Sequence, residues 1–336
     1  MGGIALEVAS ETLRLKAPFR ISGHVFETSD VVVVTLREGE LIGRGEGCGV
    51  FYLVDDAAHM LGAIEAARTA IEVGLTRDEL RQAMPPGGGR NAVDCALWEL
   101  EAARSGQPAW VLAGQSDPKP LLTTFTLGAD APDAMAQGAR NYAAARAIKI
   151  KLTGDFALDV ARVAAVRAAR PDVWLGVDGN QGFERGELEP LVDALQAQGV
   201  KLLEQPLARG READLEGFGS PIPIAGDESL LSLADLDSAP GRFDVVNIKL
   251  DKCGGLTEGL LMAAEARRLG LGVMVGTMVG TSLSTAPAII LGQQCDIVDL
   301  DGPTFLAADR EPGVDYIDGM VSAAPEVWGS GKVLAA

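Results

Sequence analysis

Five short apolar runs, each ending on a charged residue, limit what this chain can fold into more than any other feature. They are AIKIK ending at Lys151, VWLGVD at Asp178, KLLE at Glu204, IPIAGD at Asp227 and DVVNIK at Lys249. Successive ends lie about 22–27 positions apart, roughly one strand, one helix and two loops. Buried parallel strands read as continuous apolar runs. Charges recurring at the carboxyl ends of successive parallel strands converge on one mouth of a β/α barrel, where such barrels place their chemistry. Eight strand candidates follow Pro118-Lys119-Pro120, at 121–127, 147–152, 173–178, 201–204, 222–225, 244–249, 272–275 and 297–301. Eight strands are enough to close a barrel. Gly302-Pro303 ends the last of them, and 304–336 is too irregular for a standard eighth helix. The fold class is therefore α/β: a modified TIM barrel of (β/α)7β form with an α+β N-terminal capping domain.

Residues 1–117 form the cap. Segment 4–15 alternates, 31–37 is β-branched, and Glu38-Gly39-Glu40 turns into 41–46, which predicts a three-stranded antiparallel meander. Helical spacing marks 57–73 and 92–104, with Asn91 as cap of the second and Asp94 in its first turn. Gly87-Gly88-Gly89 follows Pro85-Pro86 rather than a strand and lacks a Lys-Ser/Thr ending, so it reads as a flexible connector rather than a phosphate loop. Residues 118–303 form the barrel, and 304–336 is expected to return to the cap.

Composition excludes several functions. With 29 Lys+Arg against 47 Asp+Glu the formal charge is −18, which repels phosphate backbones and anionic membranes. No nucleic-acid or membrane partner is expected. The uncharged stretch 269–295 is interrupted by glycines, hydroxyl residues and Pro287, and reads as strand, loop and helix rather than a span. Cys48, Cys95, Cys253 and Cys295 form no CxxC pair, which suits buried thiols in a reducing cytoplasm. Two histidines argue against a His-rich metal site or a Ser-His-Asp triad. MGGIALEVAS shows no basic and apolar leader, so no secretory signal is expected.

Asp178, Glu204 and Asp227 are the candidate metal ligands. Two carboxylates about 4 Å apart in a partly buried site repel by roughly 4 kcal/mol, and a divalent cation removes that cost. All-oxygen ligation favours Mg²⁺. Singly, each carboxylate could cap a helix or pair with an arginine; three at consecutive strand ends are harder to explain so. Lys149 and Lys151 stand at i and i+2, on one face of a strand. Lys249 ends the sixth strand, nearly opposite the second. Two opposed bases suit removal of a proton from one side of a carbon and its return on the other, which is racemisation or epimerisation. The metal and Lys149 would stabilise the enediolate, and nearby positive charge would lower the lysine pKa values. Asp299 and Asp301, again i and i+2, suit a substrate ammonium; the alternative is a structural pair bonded to backbone or to the barrel lysines.

The series KIKL, DGNQGF, LLEQPL, IAGDES, NIKLDKCGG and DLDGP, with RNAVDCALWELEA earlier, resembles the muconate-lactonising subgroup of the enolase superfamily, and within it the dipeptide epimerases. Enolase-superfamily sites use a Lys or His base with Mg²⁺. The resemblance implies that Asp178, Glu204 and Asp227 bind Mg²⁺, that Lys151 and Lys249 are the acid/base pair, and that Lys149 assists at the carboxylate. Asp299 and Asp301 would hold the α-ammonium of a small dipeptide while the metal takes its C-terminal carboxylate. Similar enzymes that epimerise L-Ala-L-Glu from cell-wall peptide read the side-chain carboxylate with an arginine in a mobile N-terminal loop. Here that loop is FRISGHVFE; counting from Phe19 puts the position at His24, with Arg20 nearby. Phe51 and Tyr52 would line the same side, or simply pack. Homo-oligomers are common among such barrels. Reactions sharing the enediolate are N-acylamino-acid racemisation, o-succinylbenzoate synthesis and cycloisomerisation, whose substrates lack a free ammonium. A non-catalytic metal-binding barrel is the reading from another class, and the lysine pair argues against it.

Overall fold

The computed structural model describes residues 3–332; residues 1–2 of the first segment and 333–336 of the last lie outside the described residues. Strands β1 (Ala5–Ile21), β2 (His24–Glu38) and β3 (Leu41–Cys48) form the antiparallel meander in that order. β1 and β2 run further than the alternation predicted, because their solvent-facing ends carry no apolar pattern. Gly23, at φ 72°, makes the tight turn between them. The expected loop FRISGHVFE is thus a paired hairpin tip, with Phe19 opposite Phe26, Arg20 opposite Val25 and Ile21 opposite His24.

The helix Ala57–Val73 starts at Asp56, whose side chain accepts from the His59 amide. The second long helix, Gly88–Ser105, begins four residues before the predicted 92, and this corrects three expectations. The glycine run opens the helix instead of connecting to it. Asn91 is no cap: it is buried within the helix, donating to the Asp251 carboxylate at 2.7 Å. Asp94 lies beyond the first turn, where it accepts from the Thr257 hydroxyl at 2.6 Å. The reason is packing. A Cβ on Gly43, Gly45 or Gly47 of β3 would stand 2.1, 2.0 or 2.0 Å from the carbonyl oxygens of Ala96, Ala92 and Gly88. One face of the strand, at i+2 spacing, meets one face of the helix, at i+4 spacing, backbone against backbone. Gly45→Val is expected to cost about 3 kcal/mol or more by overpacking, measured as a fall in calorimetric melting temperature. Gly62→Ala, in a helix with open space at its Cβ, should instead gain up to about 1 kcal/mol.

The predicted strand 121–127 divides. β4 (Leu121–Leu122) leaves the barrel, and β5 (Thr124–Leu127) opens it. The barrel continues with β6 (Ala147–Lys151), β7 (Trp174–Asp178), β8 (Leu202–Glu204), β9 (Ile224–Gly226), β10 (Val245–Lys249), β11 (Gly272–Gly276) and β12 (Ile297–Asp299). These eight are parallel neighbours in sequence order. At the seam, β12 and β5 are joined by side chains rather than by a ladder. Thr123 accepts from the Leu300 amide at 2.9 Å, Asp301 accepts from the Thr126 amide at 2.5 Å, and Asp299 accepts from the Thr124 hydroxyl. Ile148, Ile150, Leu175, Val177, Leu203, Val246 and Ile248 face the surrounding helices and are fully buried. A plug of Leu202, Ala225, Val245 and Met274 fills the opposite end of the barrel interior.

The uncharged stretch forms β11 and the helix Ser282–Gly292, and among the described residues no helix is long and apolar enough to cross a membrane. After β12 the chain adds β13 (Asp315–Ile317) and β14 (Met320–Ser322), an antiparallel pair of which β14 also pairs with β4. It then reaches the first unit: Trp328 donates to the Arg44 carbonyl at 2.9 Å, and the Gly329 amide donates to Glu99 at 3.0 Å.

Candidate active site

The strand register sets the charged floor. Lys151, Asp178 and Glu204 stand in one row across β6, β7 and β8, and Asp227 follows β9 directly. Asp178, Glu204 and Asp227 are at most 1% exposed and Lys149 is 2% exposed, so their charges are met inside the protein. Lys149 Nζ lies 2.7 Å from Glu204, 2.8 Å from Asp299 and 3.4 Å from Asp178. Lys151 reaches Asp178 at 2.6 Å, and Lys249 reaches Asp227 at 2.6 Å. Lys149, Lys151, Asp227, Lys249, Asp299 and Asp301 all line one cavity of about 440 Å³, with Asp178 and Glu204 behind them.

Counter-charge sets the ionisation of this floor. Burial raises the Asp178 carboxyl, but Lys151 and Lys149 outweigh it and hold the group at about 2. Asp227 is held well below the usual range against burial by Lys249 and Lys252. Burial, reinforced by Asp178, pushes Glu204 up to about 8. Burial favours neutral lysines, yet Asp299, Glu204 and Asp178 raise Lys149, and Asp227 and Glu204 raise Lys249. The expectation of lowered lysine pKa values therefore fails for these two, because the carboxylates around them dominate the local field.

The side chains fit a hard dication in chemistry, although they are not gathered around one point. Among the described residues no three acidic, His or Cys side chains stand together at ion-holding distances, since the carboxylate oxygens are turned to lysines. Five buried polar atoms here nevertheless lack a hydrogen-bond partner: Tyr52 OH, Asn180 Oδ1, Glu204 Oε2, Glu228 Oε2 and Asn247 Oδ1. Lys149 approaches Glu204 Oε2 closely but outside hydrogen-bonding geometry. Four of the five are amide or carboxyl oxygens, and such orphans are costly unless a cation or hydrogen-bond partner meets them. An oxygen-rich shell with spare acceptors is the donor set that Mg²⁺ takes.

Sequence reasoning missed four residues that hold this floor. Asn247 donates to Glu204 at 2.9 Å from the strand face that carries Lys249. Lys252, fully buried, donates to the Asp227 carboxylate and to the carbonyls of Asp227, Leu230 and Asn247. The Gln205 side chain accepts from the Asp227 and Ser229 amides, tying the ends of β8 and β9 together. Glu228 lines the cavity and is pushed up to about 7 by burial and by Asp227. The available signal was adjacency: each lies within three residues of a predicted site residue. Gln205, at φ 33°, and Asn180 and Gln181, at 42° and 64°, hold left-handed backbone immediately after the ligand-bearing strands.

Asp299 and Asp301 open on the cavity and also stitch the barrel seam. Asp299 pairs with Lys149 and Thr124, while Asp301 lies beyond β12 and is raised to about 7 by burial and Asp299. Both line the cavity while bonded to the protein. Of the N-terminal candidates, Phe51 and Tyr52 line the cavity wall; Arg20 and His24 do not. Strand alternation turns Arg20 away from the face that carries Phe19 and Ile21. His24 is exposed at the hairpin tip, its ring 4.6 Å from that of Phe51.

Comparison with known proteins agrees with this architecture. The mandelate racemase/muconate lactonizing enzyme N-terminal domain profile matches residues 3–114, and the enolase C-terminal domain-like profile matches 133–331. The chain is 40% identical over 316 residues to the L-Ala-D/L-Glu epimerase of Escherichia coli K12, covering 94% of this chain and 98% of that protein. It superposes with a TM-score of 0.94 on an Agrobacterium tumefaciens enolase family member with homology to dipeptide epimerases, solved with sodium and L-Ala-L-Glu. That pair shares 41% identity, covering 97% of this chain and 100% of the other. A dipeptide epimerase from Methylococcus capsulatus, complexed with Mg and L-Arg-D-Lys, gives 0.89 at 30% identity, over 96% of this chain and 97% of that one. With both profiles matched in order, the chain belongs to the mandelate racemase/muconate lactonizing enzyme family of the enolase superfamily.

Proposed function

We propose that this protein is a Mg²⁺-dependent dipeptide epimerase that inverts the α-carbon of the C-terminal residue of L-Ala-L-X substrates. The observation that carries the reading is the placement of Lys151 and Lys249 on nearly opposite strands of one barrel, lining one cavity with Asp299 and Asp301. Similar proteins support it: those from Escherichia coli and Methylococcus capsulatus are named as epimerases, and the second was solved with Mg and a dipeptide. In this reading 1–117 is the capping domain over the barrel (118–303), and 304–336 is the segment that returns to the cap, as its described part to residue 332 does through Trp328 and Gly329.

Asp178, Glu204 and Asp227 would hold Mg²⁺, which supplies positive charge to the substrate carboxylate as the α-proton leaves. Lys149, kept charged by three carboxylates, adds to that field. Asp299 and Asp301 receive the α-ammonium, and Arg20 and His24 have no part in the floor chemistry. One lysine, neutral, takes the α-proton from its face of the carbon; the other, as ammonium, returns a proton from the opposite face. The two lysines end each turnover with their protonation states exchanged, and proton exchange with solvent restores them before the next turnover in the same direction.

The ammonium receptor separates this reading from N-acylamino-acid racemisation, whose substrates carry no charge there. N-acetylation of L-Ala-L-X is expected to lower kcat/KM by about 100-fold, because the charge-assisted bonds from the α-ammonium to Asp299 and Asp301 are lost and an acetyl group must be seated against buried carboxyls. Equal rates on the two forms, followed by chiral chromatography, would overturn the dipeptide assignment.

A further inference from the structure

We infer that the epimerised residue carries a neutral, apolar side chain, aliphatic or aromatic, rather than an acidic or basic one; this rests on the epimerase reading above. The direction of that side chain follows from what the floor already engages. Of the four groups on the reacting carbon, the carboxylate is held at the floor and the amide nitrogen leads to Asp299 and Asp301. The hydrogen lies towards Lys151 in one isomer and Lys249 in the other. The fourth substituent is left pointing away from the floor, towards the cap, and inversion through a planar intermediate keeps it there in both isomers.

What it meets there is Phe19, Ile21, Phe26, Phe51, Val279 and Phe305. These form a continuous apolar surface: the Phe19 and Phe305 rings are 4.7 Å apart, and those of Phe26 and Phe51 are 5.3 Å apart. Phe19 and Phe26 are cross-strand partners and share a face of the hairpin. The cationic side chains lining the cavity are Lys149, Lys151 and Lys249, all at the floor and all paired with carboxylates. An acidic substrate side chain would enter this surface without a counter-charge, and an unpaired buried charge is strongly disfavoured. The carboxylates at the mouth do not select a basic side chain either. Asp30 accepts from the Thr12 hydroxyl at 2.6 Å, Asp55 holds the His59 ring and the Gly88 amide at 2.8 Å each, and Asp56 caps its helix.

The test compares kcat/KM for L-Ala-L-Leu, L-Ala-L-Phe, L-Ala-L-Glu and L-Ala-L-Lys with Mg²⁺ present. Calorimetric binding of the same four to the Lys151→Ala variant is measured alongside. The Leu and Phe dipeptides are expected to exceed the Glu and Lys dipeptides on the order of 100-fold in both measurements. Phe26→Arg should shift the Glu-to-Leu ratio towards Glu by at least about tenfold. Turnover or binding of L-Ala-L-Glu or L-Ala-L-Lys equal to that of L-Ala-L-Leu overturns the inference and leaves the epimerase reading standing. Tight binding of the apolar dipeptides without turnover of any overturns the epimerase reading, and with it the inference as one about the epimerised residue, leaving only an apolar subsite. Neither binding nor turnover of any of the four overturns both.

Discussion

Lys151→Ala and Lys249→Ala are each expected to lower epimerisation by about 1,000-fold or more, the upper range for loss of a general acid/base. In the proposed scheme each lysine serves one face of the α-carbon, so inversion needs both. Exchange of the α-proton with D₂O needs only one. Each variant should therefore still wash deuterium into one stereoisomer, and the two should differ in which. That asymmetry separates a chemical role from a structural one. Removing Lys249 still leaves Asp227 bonded to Lys252, and removing Lys151 still leaves Asp178 beside Lys149, so the floor retains counter-charge in both. A variant that had merely collapsed would lose exchange with both isomers. Near-wild-type turnover by either variant, monitored by NMR in D₂O, would rule out the two-lysine scheme.

Glu204→Gln is expected to abolish activity while making the metal-free protein more stable. Burial, with Asp178 beside it, raises its folded pKa to about 8, well above the usual carboxylate range. In the metal-free protein the folded state then binds this proton more tightly than the unfolded chain does. Stability falls as pH rises from about 4.5 towards 8, and the neutral amide removes that loss. Wild-type protein should melt higher in Mg²⁺, by an amount equivalent to about 2.7 kcal/mol at 100 times Kd. The variant should melt a few degrees higher than wild type without metal and gain nothing from Mg²⁺. Differential scanning calorimetry at pH 8 with and without Mg²⁺ reads both effects. A variant that kept the Mg²⁺ shift would remove Glu204 from the ligand set.

The barrel was legible because its strands are buried on both faces and written as apolar runs, and because the charges at their ends have no hydrophobic reason to be there. Lys149, Lys151, Asp178, Glu204, Asp227 and Lys249 stood out on that ground alone. What the sequence hid was set by packing between distant segments. The start of the helix at Gly88 depends on glycines in β3 some forty residues earlier, and no local cap announces it. The division of 121–127 depends on pairing with β14, nearly two hundred residues later. Lys252 and Gln205 read as ordinary polar residues until the chain folds, because their partners, the Asp227 carboxylate and backbone groups after β9, lie some twenty or more residues away in sequence. The lysine ionisation was misread for a related reason: charge balance in a buried site depends on every group present, and Asp299 touches Lys149 from across the barrel.

The hairpin of β1 and β2 lies far in sequence from every lysine and carboxylate of the floor. In the proposed reading, part of the surface that meets the substrate side chain is thus encoded apart from the reacting groups, while Phe51, Val279 and Phe305 complete it from other segments. Substitutions at Phe19, Ile21 or Phe26 are then expected to change side-chain preference while leaving the proton-transfer groups in place, so one ribbon of polypeptide could be edited without rebuilding the barrel.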